Sequence, residues 1–334
     1  MNAREFLEKI RRLRVLVVGD VCLDHWCYYD PALSIPSAET GIPRLAVTHS
    51  ELTPGAAGTV ANNLRSLGAH VSVLGLIGQD GHGYELARSL TERGIESQLV
   101  IQEHSVPTFT YTKVINEASG VEDKPRVDFV FSGDIPGQVE ERICDVLVRH
   151  APSFDLICVS DQAETERGGV ITAAVRERLS GLASGGLLVW VDSRRRIELF
   201  QRMFLKMNKE EALAALQRSQ CETAESLRAH TEAPALFITR GGEGVDIVSE
   251  NGLEHIETRR MKNPVDICGA GDSFTVGAAS ALAIGATGAM AARLGHLVAS
   301  VTIMKKGTGV ALPGELMEAE RNQGTATEQE LKQE

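Results

Sequence analysis

Short apolar runs alternate with amphipathic stretches along nearly the whole chain. Arg14–Gly19 (RVLVVG) is apolar without alternation, which predicts a strand buried on both faces. The pattern then predicts a helix over 59–67, a strand over 71–77 and a helix over 83–93. After Pro136 it gives a helix to about 150, a strand over 156–160, a helix over 170–182 and a strand over 187–191. A strand over 204–207 leads into a helix over 209–216. Ala235–Thr239 precedes a hairpin, Val245–Ser249 with 253–258, turning at Asn251-Gly252. Helices over 275–286 and from 287 to about 304 follow. Such a βαβα rhythm predicts a mostly parallel sheet with helices on both faces.

Two segments break the rhythm. Residues 26–53 are rich in proline with little helical period, and 106–131 alternate through Thr108, Phe109, Thr110, Tyr111 and Thr112. Both predict strands outside the main sheet, together forming a small β-lid over a ligand crevice. The polar stretch 315–334 is expected to fray. No internal repeat is visible, so 1–334 is expected to form a single domain.

The length of 334 residues, 43% hydrophobic and 24% charged, suits one large α/β domain. A formal charge of −11 without a basic block argues against a nucleic-acid partner. The six cysteines show no C-x-x-C spacing, so reduced, mostly buried thiols of a cytoplasmic protein are expected. Residues 1–14 are charged and lack the apolar core of a signal peptide, and no stretch reaches the length of a membrane span.

The most informative run is Asp266-Ile267-Cys268-Gly269-Ala270-Gly271-Asp272-Ser273-Phe274, just before a helical segment rich in alanine and glycine. A Gly-Ala-Gly turn entering a helix leaves backbone N–H groups unpaired and pointing one way, an anion site strengthened by the helix dipole. A carboxylate there suits phosphoryl transfer, in which donors meet the travelling phosphate and a base meets the attacking oxygen. Taken alone, Asp272 serves equally well as a helix cap. Asp20 and Asp24, past the first strand, suit hydrogen bonds to a polyol, or simply a solvated loop. Gly55-Ala56-Ala57-Gly58, opening toward Thr59 and Asn63, allows close approach of a ligand, or tight helix–sheet packing. Asn208-Lys209-Glu210-Glu211 fits a capping box, or the ordering of water around a magnesium–nucleotide complex. Thr239-Arg240-Gly241-Gly242-Glu243-Gly244 fits a hairpin or a nucleotide turn, and neither a Walker A nor a GxGxxG motif occurs.

Each motif is weak alone, but their order closely resembles the ribokinase (PfkB) family of carbohydrate kinases from about Arg14 to Pro313. The resemblance implies a ribokinase-like three-layer α/β sandwich with a β-lid, which in that family often also makes a homodimer contact. It implies ATP and Mg2+ as cofactors and Asp272 as the base, kept ionised by the helix end without a raised pKa. Gly269, Ala270 and Gly271 would form the anion hole. Asp20, Asp24, Gly55, Ala56, Ala57, Thr59 and Asn63 would hold the sugar. Thr239, Gly241 and Gly244 would bind nucleotide, with His296 near the adenine. Asn208 and Glu211 would order water on Mg2+, and the backbone at Asp266 and Cys268 matches a loop that in some members holds K+.

Within the family the chain is most similar to the heptose-phosphate kinases of the ADP-heptose pathway, through Val18-Gly19-Asp20-Val21-x-Leu23-Asp24, Ser160-Asp161 and Lys306-Gly307-Thr308. A phosphorylated sugar would need a cation, and Arg194, in the run to Arg196, is the first candidate, with Lys113 and Arg126 as rivals; a solvated helix start explains the run equally well. The chain departs from the family at Ala56, where a second glycine is usual, and at Thr59, where asparagine is usual. Gln162-Ala163-Glu164 also replaces the heptose kinases' aromatic and Lys-Gly, and Ile267-Cys268 replaces Thr-Thr. These changes bear on the sugar rather than on phosphotransfer. A nucleoside kinase of the same family and a catalytically silent sugar- or nucleotide-binding homologue are the alternatives.

Overall fold

The computed structural model describes residues 1–163 and 168–330, with side chains up to Asn322. Glu164 and the last residues of the tail lie outside that range. In chain order the elements begin α1 (Ala3–Ile10), β1 (Arg14–Gly19), β2 (Val21–Tyr29), β3 (Val47–Ala56) and α2 (Ala57–Leu67). There follow β4 (His70–Leu74), β5 (Leu76–Gly78), α3 (Gly81–Glu92), β6 (Ile101–Glu103), β7 (Thr110–Asn116), β8 (Val121–Glu122) and β9 (Val127–Phe129). The second half holds α4 (Gly137–His150), β10 (Leu156–Asp161), α5 (Ala173–Ser184), β11 (Leu188–Ser193), β12 (Phe204–Asn208), α6 (Lys209–Ser219) and α7 (Ala224–His230). It closes with β13 (Ala235–Thr239), β14 (Val245–Ser249), β15 (Gly252–Ile256), α8 (Ala270–Ala283), α9 (Gly288–Thr302) and α10 (Pro313–Glu330).

The main sheet runs β15-β14-β13-β12-β11-β10-β1-β4. From β4 to β13 neighbouring strands are parallel, and β14 and β15 add antiparallel at one edge. Strand β1 shows why its sequence lacks alternation. Val15 and Val17 enter one core with α1, α2, α8 and α9, whereas Leu16 and Val18 enter a second with α4, α5 and α6. Both faces are covered, giving three layers.

The lid is larger than the sequence indicates. It is a five-stranded sheet, β3-β2-β7-β8 with β9 on β7, and β2 begins at Val21 rather than 26. Asp24 therefore belongs to a lid strand, not to a loop after β1. Gly55 and Ala56 end strand β3 instead of opening a helix. The strand predicted over 71–77 divides into β4 and β5, because β5 leaves the main sheet to pair with β6. The expected fraying of 315–334 is overturned for its described part. Pro313 starts a helix whose Leu316 is fully buried, and Glu320 accepts a hydrogen bond from the Ala3 N–H at 2.8 Å.

Candidate active site

The turn before α8 is built by its glycines. Gly269 takes φ +76, the left-handed conformation that caps the N-terminus of α8. Its carbonyl accepts the Ser273 N–H at 2.9 Å, closing the first helical turn. The Ala270 N–H donates to the Ile267 carbonyl at 3.2 Å, so Ala270 does not serve the anion hole that the sequence assigned to it. The N–H groups of Gly269, Gly271 and Asp272 have no acceptor among the described residues. They point from the positive end of α8, an arrangement suited to an anion.

Beneath this turn lies an ion pair that the sequence reading missed. Asp192 and Lys206 are register partners on the parallel strands β11 and β12, so their side chains leave one face together. Both are buried, and Lys206 Nζ donates to Asp192 Oδ2 at 2.6 Å. A Cβ on Gly271 would stand 2.8 Å from Lys206 Nζ, so the turn lies close on this ammonium and a side chain there would displace it. The available signal was a lone lysine inside the apolar strand Phe204–Asn208.

Asp272 is half-buried beside this pair. Burial pushes its carboxyl up to about 7, and the Asp192 charge adds to the effect against the pull of Lys206 and Arg194. The expected unraised carboxylate is thereby corrected: desolvation and a neighbouring carboxylate outweigh the helix end. Asp24, on β2, is pushed up to about 6 by burial, opposed by Lys113 from β7, Arg126 from the lid and Arg194 after β11. The charges of all three thus act on the Asp24 carboxylate. Arg194 and Lys113 make no ion pair with the described residues, whereas Arg126 reaches Asp128 at 3.4 Å and lies over the Tyr111 ring. The arginine run divides: Arg194 is exposed near the acids, while Arg196 is buried against Asp161 at 2.7 Å.

Several residues assigned to the sugar are instead structural. Asp20 is 2% exposed, and its carboxylate accepts the Val170 N–H at 2.7 Å and the Gln162 N–H at 2.8 Å. Asn63 is fully buried; its amide donates to the Thr59 carbonyl and accepts the Ala311 N–H at 3.2 Å, tying α2 to the segment before α10. Thr59 is buried and donates its hydroxyl to the Pro54 carbonyl. Ala57 is buried as the first residue of α2. Gly55 remains at the site, since a Cβ there would stand 2.6 Å from Asp24 Oδ1. Ala56, at φ +51 and ψ −119, holds a backbone shape that favours glycine. Ala56 also lines a cavity of about 50 Å³ with Cys22, Phe109, Tyr111 and Phe131.

On the nucleotide side, Asn208 and Glu211 form the capping box. Glu211 Oε2 accepts the Asn208 N–H at 2.7 Å, leaving Oε1 uncommitted. Burial and the Asp192 charge raise the Glu211 pKa. The 239–244 segment joins the antiparallel strands β13 and β14. The Thr239 hydroxyl donates to the Met207 carbonyl, Gly241 has φ +57, and a Cβ on Gly244 would stand 2.2 Å from the Ile256 carbonyl. His296, on α9, packs its ring on Phe274 at 5.1 Å, and burial lowers it to about 4, so it is neutral. Its Nε2 has no partner among the described residues. The Asp266 carboxylate already accepts the Cys268 and Gly307 N–H groups at 2.9 and 3.1 Å, so a monovalent cation there would meet carbonyls rather than this side chain.

The model of the pfkB family carbohydrate kinases matches residues 12–123 and 187–314. Bifunctional protein HldE of Trichlorobacter lovleyi is 30% identical over 322 residues, covering 93% of this chain and 64% of that protein. HldE of Geotalea uraniireducens is 31% identical over 319 residues, covering 92% and 63%. The chain thus spans less than two thirds of these relatives' own length. Among solved structures, phosphofructokinase-2 from Escherichia coli in complex with potassium superposes with TM-score 0.69 at 17% identity, over 93% of this chain and 99% of that one. Burkholderia thailandensis nucleoside kinase with inosine gives 0.66 at 19%, over 92% and 98%. The solved structures carry the ribokinase-like fold, and the family model spans both halves of the site. The chain belongs to the pfkB family of carbohydrate kinases.

Proposed function

We propose that the protein transfers the γ-phosphate of ATP to a hydroxyl of a sugar phosphate of heptose-phosphate type. The observation that carries this is that Asp272 adjoins the free amides of Gly269, Gly271 and Asp272 and feels the charges of Asp24 and Arg194, while Lys113, Arg126 and Arg194 act on Asp24. Asp272, poised near neutrality, accepts the acceptor hydroxyl's proton as the oxygen attacks. The three amides meet the charge on the travelling phosphate, and Lys206 lies directly below them. Asp24 orients the acceptor's hydroxyls, while Arg194, Lys113 and Arg126 hold the phosphate it already carries. The lid strands β2 and β7 bring Asp24 and Lys113 over the crevice and exclude water.

Glu211 Oε1 and the nearby Asp192 would hold a hydrated Mg2+, since burial and the Asp192 charge raise the Glu211 pKa and a divalent cation relieves both effects. That ion neutralises phosphate charge when bound.

The name HldE on two relatives supports the heptose-phosphate acceptor. A second reading, a nucleoside kinase, is favoured by the aromatic wall of Phe109, Tyr111 and Phe131 beside Ala56. ADP formation over a panel of free sugars, sugar phosphates and nucleosides tests both. Turnover confined to nucleosides overturns the first reading, and nucleotide binding without any ADP sinks both in favour of a silent homologue. Arg194→Ala should raise KM about tenfold or more for phosphorylated sugars alone. An equal rise for neutral sugars would remove the phosphate contact.

A further inference from the structure

The loop between α9 and α10 touches both the lid and the phosphate turn. On the lid side, the Lys306 ammonium lies 5.3 Å from the centre of the Tyr28 ring on β2, and 3.3 Å from its hydroxyl. A Cβ on Gly307 would stand 3.5 Å from the Trp26 indole, two residues earlier on the same strand face. On the turn side, the Gly307 N–H donates to Asp266 Oδ2, while Asp266 Oδ1 accepts the N–H of Cys268, directly before Gly269. Thr308 completes the contact, its methyl 3.4 Å from where Gly269 would carry a Cβ. The lid strand and the anion site are therefore joined by one short loop, with an exposed lysine as its outermost contact.

Resting on the kinase reading above, we infer that Lys306 is a positioning residue that couples the lid to the phosphate turn. Its ammonium on Tyr28 holds the loop against β2, and the loop in turn sets, through Gly307 and Asp266, the amides at Cys268 and Gly269. A lid lifted from the loop leaves that turn less fixed, so transfer is favoured only with the lid seated.

The protein's own fluorescence tests this. Its two tryptophans differ in access: Trp190 is fully buried, whereas Trp26 is half-buried in the contact itself. Acrylamide quenching therefore reports Trp26 without further substitution. In wild-type protein, AMP-PNP with Mg2+ should change the quenching of Trp26. Lys306→Met should abolish that change while calorimetric affinity for the nucleotide stays within about twofold, and Lys306→Arg should restore it. In turnover, Lys306→Met should lower kcat about tenfold with KM for ATP unchanged, and Lys306→Arg should recover most of it. A Lys306→Met protein that keeps the full fluorescence response overturns the coupling. So does a wild type that binds nucleotide with no response. A wild type that binds no nucleotide overturns the kinase reading, and this inference with it.

Discussion

At Asp272 the same burial that makes a usable base also destabilises the fold at high pH. Its folded pKa, about 7, lies above the value of about 4 expected in an unfolded chain. The stability this group contributes is therefore present below about pH 4 and lost as pH rises toward 7. Asp272→Asn should accordingly raise stability at pH 8 by on the order of 2 kcal/mol, with the gain vanishing near pH 4, as read by thermal melts at both pH values. The same substitution should cut turnover by roughly a thousandfold or more while nucleotide affinity is retained, and the wild-type rate should fall on the acid side of about pH 7. A flat acid limb would remove Asp272 as the base. Ala56 is a separate case. Its φ of +51 with ψ −119 strains an L side chain, so Ala56→Gly should stabilise the protein by about 1 kcal/mol, relief of strain exceeding the entropy lost. The denaturant midpoint checks this.

Strands β11 and β12 show how an element places chemistry. Their parallel register sets Asp192 opposite Lys206, and the turn before α8 lies close on the pair at Gly271, where a Cβ would displace the Lys206 ammonium. Helix α2 shows the converse, a residue that looked like a ligand and is a tie. Asn63 joins α2 to the chain before α10 through Thr59 and Ala311. Asn63→Ala strands a buried donor and should cost about 2–3 kcal/mol in chemical denaturation. Acceptor KM should stay unchanged, and a selective rise in KM with no loss of stability would return Asn63 to the sugar site.

At the scale of the molecule, a chain of formal charge −11 brings the charges of Lys113, Arg126 and Arg194 to bear on one acid, Asp24. Raising salt from about 0.01 to 0.1 M shortens the screening length from about 30 to about 10 Å. KM for a phosphorylated acceptor should then rise several-fold while that for a neutral sugar stays level, as steady-state assays at both salt concentrations would record. The layering was legible in the sequence because a strand buried on both faces is a continuous apolar run, as in Val15 to Val18 of β1. The phosphate turn was equally legible, since Gly-Ala-Gly-Asp at a helix start leaves few conformations open. Lid extent, Asn63, Ala270 and the Asp192–Lys206 pair were not. Three of them depend on a partner distant in the chain, β2 on β7, Asn63 on Ala311 and Asp192 on Lys206, and Ala270 on a local turn bond to Ile267 that the residue types do not dictate. Local pattern thus determined most elements and the glycine turn at the start of α8, through backbone geometry confined to a few residues. Only the tertiary structure decided which polar groups are consumed in holding the fold and which remain for a ligand, because burial and register are properties of pairs.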